Sequence, residues 1–515
     1  MSLLSRLHLA GTLGLQKDEA FYAVWARAPD AAYAWVPLAA IRVSTLVFGE
    51  SPFAVRLPFV LAMTAAGIGV FALARRVAGS PAAAAWSAAF LLGNVWSHFA
   101  GAQAHPDAFL AACWIGALAL LLAPPDERSR AALYGGAFLA AGAALSKYTG
   151  FLLWPAWIAM ELLFVSGRGW RARELGLATL LWLALVSPAV AAMVGEEGHW
   201  LRVVLELSDL SGSVPAWLRV FLVPIAPLLY LASPGALVFF AGPWAAWRSG
   251  GAGFTGAAAP GTAAPGAAAP GTAAPGTGRV AVGVAASVIL AFALLAARGG
   301  LKGNWVLPAL WGTLPFGVAW FLAGRRRTRC LAACALGGIA VTALAHVAAV
   351  RPEWLVRSTS VVAPAAALDR GYEATVSPLE RRHATSRVWV DRAFEWSVTA
   401  PLADSLSRRA RRFRTEAGVA SDLYEVVYAL RFHEPRLHVR LLEDRRFRTT
   451  PEFARGPAEM PRRLLYVTAP GVDLPESFFL WYRFLERDSK LVIAKGQGGE
   501  RQYEVWKCGV DDEVW

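Results

Sequence analysis

The chain has 515 residues, of which 56% are hydrophobic and only 17% are charged, and its formal net charge is +13. Ordinary globular domains carry about 25% charged residues, and here the deficit is confined to roughly the first 350 positions. A single large water-soluble core is therefore excluded, and a membrane domain followed by a soluble one is predicted. Most arginines of the first half lie in short clusters between apolar runs. Membrane topology explains such clusters better than nucleic-acid binding does, so no nucleic-acid partner is expected.

A helix needs about 20 mostly apolar residues to cross a bilayer. The sequence predicts about ten or eleven spans, with candidates near 57–74, 81–100, 107–123, 131–146, 148–166, 175–194, 219–246, 280–297, 305–323 and 330–350. Residues 1–15 are shorter and more polar, although the topology requires a helix before Asp18. Either that helix is short and tilted, or the true start of the protein lies further upstream, and we favour the second interpretation.

The connections between these stretches alternate in character. Arginines fall in every second connection, at 75–76, 128–130, 168–173, 248 and 325–329, and the intervening connections hold the other unusual polar residues. Because cytoplasmic loops carry the excess of arginine and lysine, the second set is expected on the outer face, together with the C-terminal tail.

Composition changes twice more along the chain. Residues 249–278 are rich in alanine, proline and glycine and contain one ten-residue sequence twice in succession, which predicts a flexible cytoplasmic linker. Beyond residue 350, strand-like runs at 386–390, 464–467, 491–494 and 503–506 alternate with helical patterns near 400–415 and 421–431. The predicted fold is mainly α: a polytopic helical membrane bundle (1–350) with a small extracytoplasmic α/β domain (351–515).

Two adjacent carboxylates, Asp18 and Glu19, stand in the first outer connection. Acidic residues beside a membrane are costly unless water, a metal ion or a cationic group meets them. In an average loop such acids would most simply cap a helix. The membrane setting and the aromatic pair Phe21-Tyr22 favour chemistry instead, either proton transfer from a hydroxyl or binding of a divalent cation.

Asp107 follows His105 and a proline at the start of an apolar stretch. Proline and an acidic residue both suit the first turn of a helix, so helix initiation and a functional role are equally supported. His105 alone is more often structural than a ligand.

Two basic residues lie on the same predicted face. Lys147 runs against the positive-inside pattern, and at headgroup depth it is well placed to bind a lipid phosphate, with snorkelling to the interface as the alternative. Arg56 is suited to pair with a phosphate, with Asp18 or with Glu19.

In this order and spacing, these stretches resemble the motifs of the GT-C membrane glycosyltransferases, in particular the bacterial family 39-like group related to protein O-mannosyltransferases and lipid A aminoarabinose transferases. The matching motifs lie between residues 16 and 320 and are Asp18-Glu19-Ala20-Phe21-Tyr22, Val55-Arg56-Leu57-Pro58, Pro106-Asp107-Ala108, Ser146-Lys147-Tyr148-Thr149, and Asn304-Trp305 with Pro308-Ala309. One motif departs from the family pattern. Where the family has His-Pro-Pro or Lys-Pro-Pro, this chain reads Tyr33-Ala34-Trp35-Val36-Pro37-Leu38, with one proline and no basic residue.

The resemblance implies a polyprenyl-phosphate-linked sugar as donor, bound on the outer face of the bacterial inner (plasma) membrane, and an inverting single displacement onto a hydroxyl of a lipid, glycan or protein. It also implies a divalent metal ion near Asp18 and Glu19. Carried over, the family's roles make Asp18 the general base, Glu19 its acidic neighbour and Asp107 a second acid. The donor-phosphate residues would be Lys147, Arg56 and Lys302, and those on the acceptor side Tyr22, His105, Tyr148, Asn304 and Trp305.

Two other functions compete with a hexosyl or pentosyl transferase. A flippase or transporter of polyprenyl-linked sugars would tend to place ionisable residues near the middle of the bilayer on broken helices. Here the charges cluster at helix ends on one face. A catalytically degenerate relative that only binds the lipid carrier is favoured by the lost basic-Pro-Pro motif, and disfavoured by the presence of Asp18, Asp107 and Lys147. Neither the sugar nor the acceptor follows from the sequence.

Overall fold

A computed structural model describes most of the helical region and parts of the C-terminal region of the protein. The described residues are 2–27, 34–122, 129–165, 170–195, 216–224, 231, 234–249, 276–298, 306–351, 401–410, 419–421, 424–433, 439–441, 463–468, 484–494 and 500–509. The helices are α1 Ser2–Thr12, α2 Lys17–Trp25, α3 Trp35–Phe48, α4 Pro52–Ala78, α5 Pro81–Leu92, α6 Val95–Ala102, α7 Asp107–Leu121, α8 Arg130–Ser146, a 3-10 turn Tyr148–Leu152, α9 Leu153–Phe164, α10 Ala172–Gly195, α11 Ala216–Leu222, α12 Ala236–Ser249, α13 Thr277–Arg298, α14 Pro308–Trp311, α15 Leu314–Leu322, α16 Arg325–Val350, α17 at 401–410 and α18 Tyr424–His433. The strands are β1 Val419–Ser421, β2 Val439–Leu441, β3 Arg463–Thr468, β4 Phe484–Ala494 and β5 Glu500–Gly509.

The predicted class, a polytopic helical membrane protein, is confirmed. Among the described residues, α4, α10, α13 and α16 are each long and apolar enough to cross a bilayer, and a fifth crossing is added if α6 and α7, bent by 113° at their junction, form one broken span. The shorter apolar helices α3, α5 and α9 accompany them. The interior is filled by large side chains, with Trp114, Trp154, Trp157 and Trp311 all fully buried.

Several predicted spans consist of two helices rather than one, and Asn94 shows the reason most clearly. Its Nδ2 donates to the carbonyls of Phe90 and Leu91 at the end of α5, at 3.0 and 2.7 Å, while its Oδ1 accepts the Ser97 backbone N–H at the start of α6, at 2.9 Å. One asparagine therefore ends one helix and caps the next. The apolar run at 81–100 conceals this break because the flanking residues stay hydrophobic.

The long helices separate two kinds of charge. Helix α4 carries Arg56 in its second turn and Arg75 and Arg76 in its last, and at 1.5 Å per residue these positions are about 28 Å apart. Helix α8 begins at Arg130 and ends just before Lys147. In α4 and α8, Arg56 and Lys147 thus lie at one end of the helix, and Arg75, Arg76 and Arg130 lie at the other.

The C-terminal strands form a five-stranded mixed sheet in the order β2-β1-β3-β5-β4. Strand β1 pairs parallel to β2 and to β3, whereas β5 pairs antiparallel to both β3 and β4. The predicted strands at 464–467, 491–494 and 503–506 lie within β3, β4 and β5, and the two predicted helices correspond to α17 and α18. The predicted strand at 386–390 and most of the predicted linker, residues 250–275, lie outside the described residues.

Helix α18 joins the C-terminal region to the bundle. The ring of Tyr428 meets the ring of Phe21 on α2 edge to face, with centroids 4.9 Å apart. Just beyond the end of α2, Arg27 donates from Nη1 to the carbonyl of Arg431 at 3.1 Å and from Nη2 to Glu50 at 2.7 Å. Helix α2, which carries Asp18 and Glu19, is therefore packed between the bundle and the C-terminal region.

Candidate functional site

Glu19 and Arg56 form a buried ion pair at the start of α2. The Nε of Arg56 donates to Oε1 of Glu19 at 2.7 Å, and Nη2 donates to Oε2 at 2.5 Å. The exposed fraction of the side chain is 1% for Arg56 and 2% for Glu19. Such bidentate pairing matches the planar guanidinium to the carboxylate and fixes the geometry of both.

The same two side chains tie three backbone segments together. Nη1 of Arg56 donates to the carbonyl of Leu13 at 2.6 Å, and Nη2 also donates to the carbonyl of Gly14, so the turn between α1 and α2 is bound to α4. Glu19 accepts the backbone N–H groups of Gln16 and Ala104, each at 2.8 Å. The bond from Gln16 is one half of a capping box at the start of α2. The bond from Ala104 brings the α6–α7 connection to the same point.

Asp18 and Glu19 are neighbours in the sequence but face different surroundings. Successive residues of an α-helix point about 100° apart, and here Glu19 enters the protein interior while Asp18 is exposed. Both acids lie in the first turn of α2, where the positive end of the helix dipole favours carboxylates. The two acids, which the sequence predicts to act as one site, therefore differ: Glu19 is buried and paired with Arg56, whereas Asp18 is exposed to solvent.

Asp107 and Lys147 form a second buried pair. The Nζ of Lys147 lies 2.5 Å from Oδ1 of Asp107, and the exposed fractions of the two side chains are 5% and 1%. Asp107 stands in the first turn of α7, and Lys147 follows the last residue of α8, so the antiparallel packing of these helices brings the two together. On the other oxygen, Oδ2 of Asp107 lies 3.4 Å from Nδ1 of His105.

The two pairs are connected through a short stretch of backbone. Ala104, which donates to Glu19, precedes Asp107 by three residues in the bend between α6 and α7. The chain leaves α6 at Gln103, turns, and starts α7 at Asp107. The α6–α7 connection therefore contributes a group to each of the two ion pairs.

The remaining predicted site residues are only partly described. Tyr22, His105 and Tyr148 are half-buried at the same end of the bundle, on α2, in the α6–α7 connection and directly after Lys147. The other three predicted residues, Lys302, Asn304 and Trp305, lie outside the described residues.

Glu19 does not fit the role of metal ligand that the resemblance implies for it. Both oxygens of Glu19 are occupied by Arg56 and backbone N–H groups, and its side chain points away from solvent. In the described part of the chain there is no group of three or more histidine, cysteine, aspartate or glutamate side chains arranged to hold a metal. The Glu19 carboxylate is therefore a partner of Arg56 and of two backbone N–H groups, contrary to the expected metal role.

A second polar cluster, which the sequence analysis does not identify, lies where α1, α6 and α16 meet. Nε2 of His98 is 3.1 Å from Nδ1 of His346, and the ring of His8 stacks on that of His346 at 5.5 Å. Arg6 is buried beside them and donates to the carbonyl of Leu92 at 3.0 Å. The sequence signal that could have marked this cluster is Arg6, a charged residue inside an otherwise apolar stretch.

Comparison with known proteins identifies similar sequences and folds. Residues 33–191 match the family model described as dolichyl-phosphate-mannose-protein mannosyltransferase. The structure is similar to ArnT from Cupriavidus metallidurans in the apo state, at 16% identity and a TM-score of 0.61, covering 99% of this chain and 96% of that one. A second ArnT structure, bound to undecaprenyl phosphate, gives a TM-score of 0.62 at 16% identity over 98% and 96% of the two chains. The comparison with curated proteins finds no match.

The chain shares the fold of these ArnT structures. The resemblance to the GT-C superfamily inferred from five short motifs is therefore confirmed. The matched segment contains Arg56, Asp107 and Lys147, and begins after the helix that carries Asp18 and Glu19.

Proposed function

We propose that this multi-pass membrane protein is a glycosyltransferase that transfers a sugar from a polyprenyl-phosphate carrier to a hydroxyl group. The observation that carries the proposal is the arrangement at one end of the bundle. There, a solvent-exposed carboxylate, Asp18, is next to a buried ion pair, and the amine of Lys147 is held beside the bend that shares this framework. An exposed base and a fixed cation are the two groups that the displacement of a phosphate requires.

The similarity to known proteins supports the choice of donor. The matching family model is described by dolichyl phosphate mannose, and one of the similar ArnT structures holds undecaprenyl phosphate. Both are polyprenyl phosphates. Because the fold is shared over nearly the whole length of each chain, we infer that this chain binds a donor of the same class.

Asp18 acts as the general base in the proposed reaction. The oxygen of the acceptor hydroxyl attacks the anomeric carbon of the sugar, and the bond from that carbon to the phosphate oxygen breaks. The hydroxyl proton passes to the Asp18 carboxylate, and the polyprenyl phosphate leaves with the electron pair of the broken bond. A single displacement of this kind inverts the anomeric centre.

Lys147 stabilises the leaving phosphate, and Asp107 orients Lys147. In the structure the ammonium group of Lys147 is held by the Asp107 carboxylate 2.5 Å away. An anionic phosphate entering the site meets a cation whose position is already fixed, which reduces the reorganisation needed as charge develops. The role expected for Asp107, a second essential acid, becomes that of a positioning residue.

Glu19 and Arg56 support the site rather than react. All of the polar atoms that join them are used in holding the α1–α2 turn, α4 and the α6–α7 connection together. Arg56 was expected to bind the donor phosphate, and we propose instead that it fixes the start of α2, and with it Asp18.

The separation of charges along α4 and α8 supports one orientation in the membrane. We propose that the end with Asp18 faces the outside of the inner membrane and that the arginine-rich end faces the cytoplasm, since cytoplasmic ends carry the excess of basic residues. The C-terminal sheet and α18, which packs on α2, would then lie on the outer side beside the site. We propose the same side for the acceptor.

The test uses the purified full chain in liposomes with a mixed pool of radiolabelled polyprenyl-phosphate sugars and a broad set of lipid acceptors. We expect acceptor-dependent release of polyprenyl phosphate by the wild type. Asp18→Asn should abolish it, because the amide cannot take the proton. Lys147→Met should lower turnover strongly, since one fixed cation at a developing anion contributes about 10²- to 10³-fold.

The alternatives give different results in the same experiment. Label that crosses the bilayer without a new glycosidic product would identify a flippase. Donor binding without turnover in wild type and Asp18→Asn alike would identify a protein that only binds the carrier. Asp18→Glu serves as the conservative control, because it keeps a base and should keep measurable activity.

A further inference from the structure

Two tryptophans and two arginines form a cluster at the end of the bundle opposite Asp18. The guanidinium carbon of Arg248 lies 4.8 Å from the ring centroid of Trp244 on α12, and that of Arg327 lies 4.6 Å from the ring of Trp320. The two tryptophan rings touch edge to face, with centroids 5.1 Å apart. We call these four residues the Trp/Arg cluster.

The contacts with the tryptophan rings hold the two guanidinium groups in place without occupying their N–H donors. A guanidinium lying over an aromatic face keeps its N–H groups directed outward from the ring edge, and these donors match phosphate oxygens in a bidentate way. Arg248 and Trp244 are exposed, and Arg327 and Trp320 are half-buried. No carboxylate pairs with either arginine among the residues that the structure describes.

The charge around the cluster has one sign. The described helical segments that meet there, at 234–249, 276–298 and 306–351, contain no aspartate or glutamate. Helix α16 begins at Arg325 with no side-chain cap, so its positive end faces the same region. Arg325, Arg326 and Arg329 add further positive charge.

The cluster is distant from the proposed transferase site. Arg327 precedes His346 by 19 positions on the continuous helix α16, a separation of about 28 Å at 1.5 Å per residue. His346 contacts His98 on α6, the helix that leads into the bend holding Asp107. A ligand at the Trp/Arg cluster therefore does not touch the carboxylates, and its binding can be measured without a glycosyl-transfer assay.

We propose that the Trp/Arg cluster binds the phosphate of an anionic phospholipid headgroup. Arg248 and Arg327 would share the phosphate oxygens, and Trp244, with the neighbouring exposed Trp247, would lie against the glycerol and upper acyl region, where tryptophan is favoured at a membrane interface. The lipid is favoured over a free anion because Trp244 and Trp247 present an exposed apolar surface beside the arginines, which a free anion would leave in water.

The experiment measures lipid retention by native mass spectrometry on the full chain in detergent, titrated with phosphatidylglycerol or with zwitterionic phosphatidylcholine. We expect one retained phosphatidylglycerol and little phosphatidylcholine. In Arg248→Gln/Arg327→Gln the apparent affinity for phosphatidylglycerol should fall by at least about twenty-five-fold, since each arginine that donates hydrogen bonds directly to the phosphate contributes at least about fivefold. Trp320→Leu keeps the charge but removes the ring that holds Arg327, and should weaken binding by about fivefold.

The matched control is Arg325→Gln/Arg326→Gln, which removes the same charge from the same helix end without removing either stacked arginine. It should weaken binding by less than about threefold, because exposed charges that are not held in place act only through a screened field. Equal losses in the two double variants would refute a defined site and leave only diffuse attraction. Full competition by inorganic phosphate at millimolar concentration would refute the lipid as occupant, and retention of phosphatidylglycerol in the cluster variant would refute the site.

Discussion

Replacing Glu19 by glutamine should destabilise the protein, although it only exchanges one carboxylate oxygen for an NH₂ group of similar size. In the wild type, Arg56 is almost fully buried and its positive charge is met by the Glu19 carboxylate through two hydrogen bonds. The glutamine is neutral, so the arginine charge stays in the interior without a counter-charge. Removing one partner of a buried ion pair destabilises a protein far more than replacing both partners by uncharged residues.

The size of the effect follows from this burial. Removing one partner of a buried ion pair costs about 3–5 kcal/mol. The carbonyls of Leu13 and Gly14 still accept from Arg56 and soften the loss, but they carry no net charge. We therefore expect the free energy of unfolding to fall by about 3 kcal/mol or more, and the apparent melting temperature by about 3 °C or more for a chain of this length.

The assay is thermal unfolding of purified protein in detergent at a fixed heating rate, followed by size-exclusion of the remaining folded fraction. Asp18→Asn is the matched control, because it makes the same change one residue earlier at an exposed position, where substitutions are usually within about 0.5 kcal/mol of neutral. The double variant Glu19→Gln/Arg56→Gln should lose less than the sum of the two single variants, since the two residues share one interaction.

One result would overturn this reasoning. If Glu19→Gln melts with the wild type while Asp18→Asn is destabilised, the buried ion pair does not hold the start of α2, and Glu19 becomes available as a reacting group. Additivity of Glu19→Gln and Arg56→Gln would lead to the same conclusion.

Three further predictions concern other parts of the fold. A Cβ at Gly150 would lie 2.2 Å from a carbonyl group of α8, so Gly150→Ala should lower the melting temperature and disturb the neighbouring Lys147. In the control Gly176→Ala on α10, the added Cβ meets nothing within 4 Å, and the free energy of unfolding should rise by up to about 1 kcal/mol. Burial raises the pKa of the Cys508 thiol to about 12, so near pH 8 almost none of this thiol is ionised to thiolate. After iodoacetamide treatment at pH 8, mass spectrometry should find Cys508 unmodified and the exposed Cys330 modified. Equal labelling of the two cysteines in the native protein would contradict the burial of Cys508. Tyr428→Leu removes the edge-to-face ring contact with α2, worth about 1 kcal/mol, and should make the C-terminal region more rapidly cleaved by trypsin than in the wild type; an unchanged cleavage rate would count against the contact.

The sequence predicts the helical class and the face that carries the site because both depend on simple regularities. Apolar runs of span length mark the bundle, and unusual polar residues at their ends mark one face. Asp107 and Lys147, 40 positions apart, are singled out separately for this reason, and the antiparallel packing of α7 and α8 brings them into contact. Their pairing with each other does not follow from the sequence, because it depends on how two helices are rotated against each other.

The partners of individual side chains are where sequence reasoning fails. Arg56 is left with three possible partners in the sequence, and the structure assigns it to Glu19. The division between Asp18 and Glu19 depends on which residue of the first turn faces α4, and neither hydropathy nor charge spacing determines that rotation. The break at Asn94 is hidden in the same way, since one buried amide inside an apolar run changes mean hydropathy very little.

The packing of α18 on α2 has a consequence for the order in which the protein is made. Arg27 and Arg431, joined by a hydrogen bond, are 404 positions apart, so nearly the whole chain must leave the ribosome before this contact can form. The helices of the bundle can enter the membrane during synthesis, whereas the helix carrying Asp18 gains its last packing partner only after α18 has been made. The proposed base therefore gains this support only once α18 has been made, and a nascent chain stalled before residue 424 would lack it.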